Sequence, residues 1–338
     1  MLNCFSKGSP PKPTEVYNAF WYFAAERQEI FFRRLHGQPP PWTDDPILTT
    51  YKFTNAYRAS DRVSQYLIRS VIYDSQHSPE ELFLRIVLFK IFNRIETWSL
   101  LREHLGEIRA EHFPFNLCDS LLTQAMGKGS KIFSAAYIMP SGIRTFRSTR
   151  KHSNYLRLLQ KMLQDSLPAK IAESRSMEEV YRLLRSYPMI GQFLAFQYAI
   201  DLNYSTLTNF SEMDFVAPGP GALDGIQKCF QDMGSFNAVE IINHVADHQE
   251  EEFLSRNLRF RALWFRRLQL VDCQNIFCEV SKYARLAYPE VRGATVRSRI
   301  KQKYRLNCSL IRPFYPPKWG INDLVAKPII VNLNSPGI

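Results

Sequence analysis

Nowhere does the chain run to the roughly 18 consecutive apolar residues that a membrane-spanning helix needs, so no span is expected. The opening stretch MLNCFSKGSPPKP has no apolar core of the signal-peptide kind, so secretion is not expected either. The six cysteines (Cys4, Cys118, Cys229, Cys273, Cys278 and Cys308) form no Cys-x-x-Cys and lack the density of a disulfide framework. Free, mostly packed thiols point to a reducing compartment, hence an intracellular protein, cytoplasmic in a bacterium or nuclear in a eukaryote. The seven histidines are too few and too dispersed to argue a Ser-His-Asp arrangement. His244 and His248 have ligand spacing on one helical face but no third partner, so neither a metal site nor a cofactor is expected. There is no internal repeat, and strand-like alternation is confined to short pieces such as 328–333.

What is present begins with enough apolar sequence, 45% of 338 residues, to bury a large core. The net charge of +11 is unevenly placed: thirteen Lys/Arg stand against three acids between Arg256 and Arg305. A stretch that holds nearly all the net charge is the electrostatic footprint of a polyanion-binding face, or else a solvated basic surface.

Helical patterns dominate the chain. After a loose lead over 1–13, Thr14 caps a helix running to about His36, which PPPW (39–42) ends. A second helix begins near Ser60–Asp61, and Ser-Pro-Glu-Glu at 78–81 opens a third that reaches about Arg94. Residues 127–151 are basic and Gly/Ser-rich, a candidate loop or hinge. Helices resume over 155–165, 177–187 and 191–202, then over 236–250, 251–268 and 273–287. Between them, 205–225 is non-repetitive and ends in a Pro-Gly-Pro-Gly turn, and the chain from Pro313 looks extended. The expected architecture is all-α: one helical catalytic domain over 14–323, with possible lobes at 14–126 and 152–323, and a tail over 324–338.

The sharpest local signal is YPMIGQFLA (187–195), where Pro188 and Gly191 suit a tight turn between helices whose amides could grip a DNA phosphate. The pattern resembles the hairpin of helix-hairpin-helix DNA glycosylases, although Met189 stands where that family usually has glycine. The same resemblance implies a catalytic acid about twenty residues on, which here is Asp214. Such a carboxylate would stabilise the positive charge that develops as a base leaves its sugar. Phe193 occupies the position of the lysine found in lyase-competent members, which implies a monofunctional enzyme.

A wider resemblance covers most of the chain. The blocks ERQEIFFRR (26–34), PWTDDPILTTYKFTNAYRASDRVSQ (41–65), FNRIETW (92–98), AAYIMPSG (135–142), GQFLAFQYAIDLNY (191–204), DFVAPGPGALDGI (214–226), FCEVSKYAR (277–285) and PPKW (316–319) resemble the helical domain of phage 5-hydroxymethyluracil DNA kinases. That family also includes alpha-glutamyl/putrescinyl thymine pyrophosphorylases and is related to helix-hairpin-helix glycosylases. The resemblance implies a glycosylase-like helical fold and action on DNA that carries 5-hydroxymethyl-derived pyrimidines. The kinases owe their ATP chemistry to a P-loop, and this chain has no GxxxxGK[ST]: GKGSK (127–131) lacks the spacing and GPG (219–221) reads as a turn. The expected activity is therefore a monofunctional DNA N-glycosylase, a hydrolase that flips and excises a hypermodified pyrimidine, with antiviral defence as its setting. The alternatives are a transferase or pyrophosphorylase-like enzyme editing the 5-substituent, and a non-enzymatic reader of modified DNA.

Candidate site residues follow. Asp214 is the expected catalytic carboxylate, with Glu279 as the second through the family resemblance. Tyr51, Asn55, Tyr57, Arg58 and Asp61 crowd donors and rings into one short segment, as reading a flipped base requires, or else form a buried polar network. Gly191 belongs to the hairpin, and Gln197 and Asp201 lie one turn apart on the helix behind it. Lys282 and Arg285 share a helical flank with Glu279, as phosphate or base contacts or as a surface salt-bridge row. Lys318 and Trp319, in PPKW, complete the set. The expected partner is DNA carrying modified bases.

Overall fold

The computed structural model describes residues 9–137, 139–306 and 312–326. Contacts divide the chain into two compact units: one runs to Asp61 and resumes at Pro220, and Arg62–Gly219 forms the other. The divisions thus fall at 61/62 and 219/220, away from the basic loop 127–151. Both units are helical, and the strand content of the described residues is a two-stranded antiparallel pairing of Lys12–Pro13 with Phe230–Asp232. The end of the expected loose lead is therefore tied down, and Ser9 also accepts the Ser235 amide at 3.1 Å.

The first unit is built on two long helices, α1 (Glu15–Leu35) and, late in the chain, Leu270–Ala287. Thr14 caps α1 as the sequence indicates, its hydroxyl accepting from the Val16 amide at 3.2 Å. The face of α1 that carries Phe20, Trp21, Phe23 and Ala24 is fully buried, and Phe20 meets Phe277 at 4.4 Å between ring centroids. A short helix Pro46–Thr50 follows, capped by Asp45.

Pro220–Cys229 is a helix, where a turn was expected. Proline is compatible with a first helical turn, and the glycines have a packing role. A Cβ on Gly225 would overlap the Phe277 carbonyl, and one on Gly221 would overlap Cys278 Sγ, so the four-residue spacing lets this helix lie directly on Leu270–Ala287. Gly225→Ala should therefore lower the unfolding free energy by about 1–3 kcal/mol, measured by denaturant titration, since backbone rather than a flexible side chain blocks the added methyl. Helices Ala238–Asp247 and Gln249–Ser255 precede Leu270–Ala287. The expected helix over 251–268 stops at Ser255, and residues beyond it form an irregular loop with a tight turn at Trp264–Phe265. After Pro313, a 3-10 turn Pro317–Trp319 and a short helix Asn322–Ala326 replace the expected extended chain. The strand-like piece 328–333 lies outside the described residues.

The second unit opens with Arg62–Leu67, which widens into a π-helical turn Ile68–Ile72. Pro79–Phe92 carries the capping box between Ser78 and Glu81 and is buried along almost its whole length. Helices Ile95–Leu105 and Phe115–Gly127 lead to the basic connection, and Lys151–Gln164, Leu167–Ala172, Met177–Arg185 and Gln192–Asn203 complete the unit.

Candidate functional site

Two sequence blocks more than 200 residues apart converge in the first unit. The chain from Lys52 to Asp61 lies along Leu270–Ala287, and its polar groups are cross-linked by that helix. Glu279 accepts the Thr54 amide at 3.0 Å and Lys282 Nζ at 2.7 Å, and Lys282 also donates to the Lys52 carbonyl at 2.9 Å. Asn275 donates to Thr54 Oγ1 at 3.0 Å. From α1, Arg27 donates to the Thr54 carbonyl at 2.9 Å and to Asn55 Oδ1 at 3.0 Å. Asp61 closes the loop by accepting the Asn55 amide through Oδ1 at 2.8 Å. Among the described residues, no hydrogen bond engages its second oxygen.

The electrostatics of this cluster are unusual at Asp61. Removal from water pushes its carboxyl up to about 7, the Glu279 charge adds to that, and the Asn55 amide, Arg27 and Arg58 oppose it. Burial likewise lowers the Arg27 guanidinium from its ordinary value, with Asp61 and Glu279 acting against the shift. A carboxyl that titrates near neutrality beside a partly free oxygen can accept a proton from a hydroxyl group, which is the property a general base requires.

A basic strap passes this cluster. Asp224 accepts the Thr295 amide at 2.7 Å, while burial works to raise its pKa and the Ser281 hydroxyl, that amide and Lys228 outweigh burial and lower it. Further on, Lys52 donates its amide to the Gln302 carbonyl at 3.0 Å, Tyr304 donates to Thr50 at 2.9 Å, and Tyr51 bridges Lys303. Between these ties Ile300 is buried, while Arg297, Arg299, Lys301, Lys303 and Arg305 are exposed and make no ion pair among the described residues. The five cations stand at every second position of a segment that is tied to 50–52 at its far end. Several other cations of 256–305 are engaged: Arg256 pairs with Glu252, Arg267 with Glu250, and Arg285 donates to the Arg299 carbonyl at 3.3 Å.

In the second unit, Met177–Arg185 and Gln192–Asn203 form a helical hairpin around Pro188–Gly191, and Gly191 caps the second helix. Met189 takes a left-handed φ of 68°, the conformation that a glycine would adopt without strain. Asp201 is buried and pairs with the equally buried Lys90 at 2.8 Å. Lys90 also donates to the Tyr137 hydroxyl at 3.0 Å, and that hydroxyl donates to Gln197 Oε1 at 3.3 Å. Asp214 sits on an exposed turn, its amide 3.4 Å from the Ser211 carbonyl.

Asn55, Asp61, Glu279 and Lys282 are thus brought together, with Tyr51 and Arg285 tied to the neighbouring strap, while Gln197 and Asp201 belong to a separate cluster. Tyr57 and Arg58 are buried: the Tyr57 hydroxyl donates to the Arg266 carbonyl at 2.5 Å, and the Arg58 amide donates to Asp272 at 2.8 Å. Trp319 lies under Arg266, 3.8 Å from ring centroid to guanidinium carbon, and Lys318 is exposed. The His244 and His248 rings lie 4.2 Å apart, tilted by 37°, and the described residues hold no group of three or more side chains suited to a metal ion. No helix among the described residues is long and apolar enough to cross a membrane. Arg27, Asn275, Lys90 and Tyr137 were not singled out from sequence. Lys90 had a signal, a lone cation in the apolar run VLFKIF, which burial obliges to find a partner.

Residues 14–293 match the family described as "5-hmdU DNA kinase, helical domain". A 5-hmdU DNA kinase of Bacillus phage SP10 is 28% identical over 296 residues, which cover 81% of this chain and 46% of the relative. The chain therefore spans about half the length of the curated relative it matches. No solved structure matches it. These findings overturn the expected enzyme class, a monofunctional DNA N-glycosylase, because a kinase transfers a phosphoryl group and leaves the glycosidic bond intact. The role expected of Asp214, beside a scissile bond, belongs to that class. Together, the matched span and the ordered sequence blocks place this chain in the 5-hmdU DNA kinase helical-domain family.

Proposed function

We propose that the chain binds DNA containing a 5-hydroxymethylated pyrimidine and presents the hydroxyl of that base for group transfer, the acceptor half of a transferase reaction. The observation that carries this reading is the convergence of the segment 52–61 with Glu279 and Lys282 around Asp61, a carboxyl poised near neutrality. Asn55 Nδ2, which gives one N–H to the Ser60 carbonyl, and Lys282 Nζ, which gives two to Lys52 and Glu279, each keep one N–H for the base edge or the 5-oxygen. In phosphoryl transfer the base's hydroxyl oxygen attacks the terminal phosphorus of a nucleoside triphosphate, its proton passes to Asp61, and a nucleoside diphosphate leaves. The sequence has no P-loop to hold that donor, so the proposal concerns the acceptor alone.

The test is equilibrium binding to oligonucleotides that differ only in thymine, uracil or 5-hydroxymethyluracil at one position. A preference of about tenfold or more for the hydroxymethyl base is expected, the effect of one added hydrogen bond to a charged group. Glu279→Gln should reduce that preference. Equal affinity for thymine and 5-hydroxymethyluracil would refute the reading.

The strap should carry the affinity that is independent of sequence. Replacing Arg297, Arg299, Lys301 and Lys303 together by Ala should weaken binding to every oligonucleotide and flatten the slope of log K against log salt by roughly 3 to 4. An unchanged slope would show that another surface meets the phosphates.

A further inference from the structure

We propose that Phe265 is a wedge that stacks against an unpaired base of the DNA this chain binds, an inference that rests on the DNA-binding reading above. Trp264 and Phe265 are the central residues of a two-residue turn closed by the pairing of Leu263 with Arg266, with Leu263 N to Arg266 O at 3.2 Å and the return bond at 3.1 Å. Both have positive φ, 49° and 74°. Such turns favour Asn-Gly, because bulky side chains are strained in the left-handed region. The turn nevertheless presents Phe265 to solvent at 91% exposure. A strained backbone that displays a large aromatic ring is unfavourable for folding on both counts, and such outliers concentrate at binding sites.

The surroundings hold this turn rigidly. The Tyr57 hydroxyl accepts the Leu263 amide at 3.2 Å while donating to the Arg266 carbonyl, so one buried tyrosine clamps both arms. Trp264, the other central residue, is turned inward against Phe32 and Tyr315, at 5.7 and 5.9 Å between centroids. Tyr315 is fixed in turn by the Ser60 hydroxyl at 2.9 Å and stacks on Trp319, over which Arg266 lies. Tyr57, Ser60 and Trp319, members of two of the sequence blocks that carry the family resemblance, therefore all support the turn that exposes Phe265.

The charge around the turn selects the partner. Arg259, Arg261 and Arg266 lie within six residues of Phe265, and Arg259 is exposed, while Arg267 is paired with Glu250. An exposed aromatic ring among cations suits a nucleic acid, whose bases offer a flat face between phosphates. Stacking also needs no particular base, so Phe265 would support binding without setting the preference for the modified pyrimidine.

The experiment uses the full chain and fluorescein-labelled oligonucleotides, single-stranded and duplex, containing one 5-hydroxymethyluracil. Phe265→Ala should weaken binding by about tenfold or more, with the salt slope unchanged because no phosphate contact is removed. Phe265→Trp should retain affinity. Phe265→Gly should lose affinity while raising the melting temperature, since glycine accepts the positive φ without strain, and opposite signs in the two readouts exclude a purely structural role. Leu254→Ala, which removes an 80% exposed side chain outside the sites described, should change neither. Wild-type affinity in Phe265→Ala would overturn the wedge and leave the DNA-binding reading standing. Absence of DNA binding by the wild-type chain would overturn both.

Discussion

Asp201→Asn should lower the free energy of unfolding by about 3–5 kcal/mol, and Lys90→Met should cost a similar amount. The pair is separated by 2.8 Å, and both side chains are at least 95% buried. Removing either partner takes away the countercharge of an ion that is held out of water. Tyr137 and Gln197 do not relieve this, because a hydroxyl and an amide supply no countercharge to the remaining ion. Replacing both residues, as Lys90→Met with Asp201→Leu, removes the two desolvation penalties together and should recover much of the loss. Urea titration of the two single variants and the double variant forms a complete thermodynamic cycle. Single-variant costs below about 1 kcal/mol would show that water or another group already compensates the pair.

How far the sequence spoke for the structure depended on whether the signal was local. Thr14 and Ser78 cap helices as their sequence context indicates, because a cap is decided within four residues. The helix Pro220–Cys229 was hidden because its stability comes from contact with Leu270–Ala287, which Gly221 and Gly225 permit, while Pro-Gly-Pro-Gly by itself reads as a turn. The helix expected over 251–268 failed for the opposite reason: apolar residues with helical spacing, such as Leu263 and Phe260, instead pack around a turn clamped by Tyr57. At the site, the crowding of Asn55 and Asp61 and the flank of Glu279 and Lys282 were each legible. Their meeting through the Thr54 amide was not, since it is a tertiary event across 225 positions. Charge density located the basic segment but could not separate engaged cations such as Arg267 from the outward row at 297–305.

The largest effect of pH is expected at Asp61. Its carboxyl titrates near 7 in the folded chain and near 3.9 when unfolded, so between those values the native state holds a proton that the unfolded state has released. Stability should therefore fall as pH rises from about 4 to about 7 and level off above. Three pKa units would correspond to about 4 kcal/mol, and because Asp61 keeps some contact with solvent, about 2–4 kcal/mol is expected. Asp61→Asn preserves an oxygen to accept the Asn55 amide and removes the titration. It should flatten that part of the profile and be more stable than the wild type at pH 8, as read by denaturant titration at pH 5 and pH 8. Ionisation has the opposite consequence for the ligand, because a carboxylate accepts the base's hydroxyl proton and a carboxylic acid does not. The preference for 5-hydroxymethyluracil over thymine should therefore strengthen in the wild type from pH 6 to pH 8 and stay constant in Asp61→Asn. A wild-type preference that does not change with pH would remove Asp61 from contact with the substrate hydroxyl and leave its high pKa a property of the fold alone.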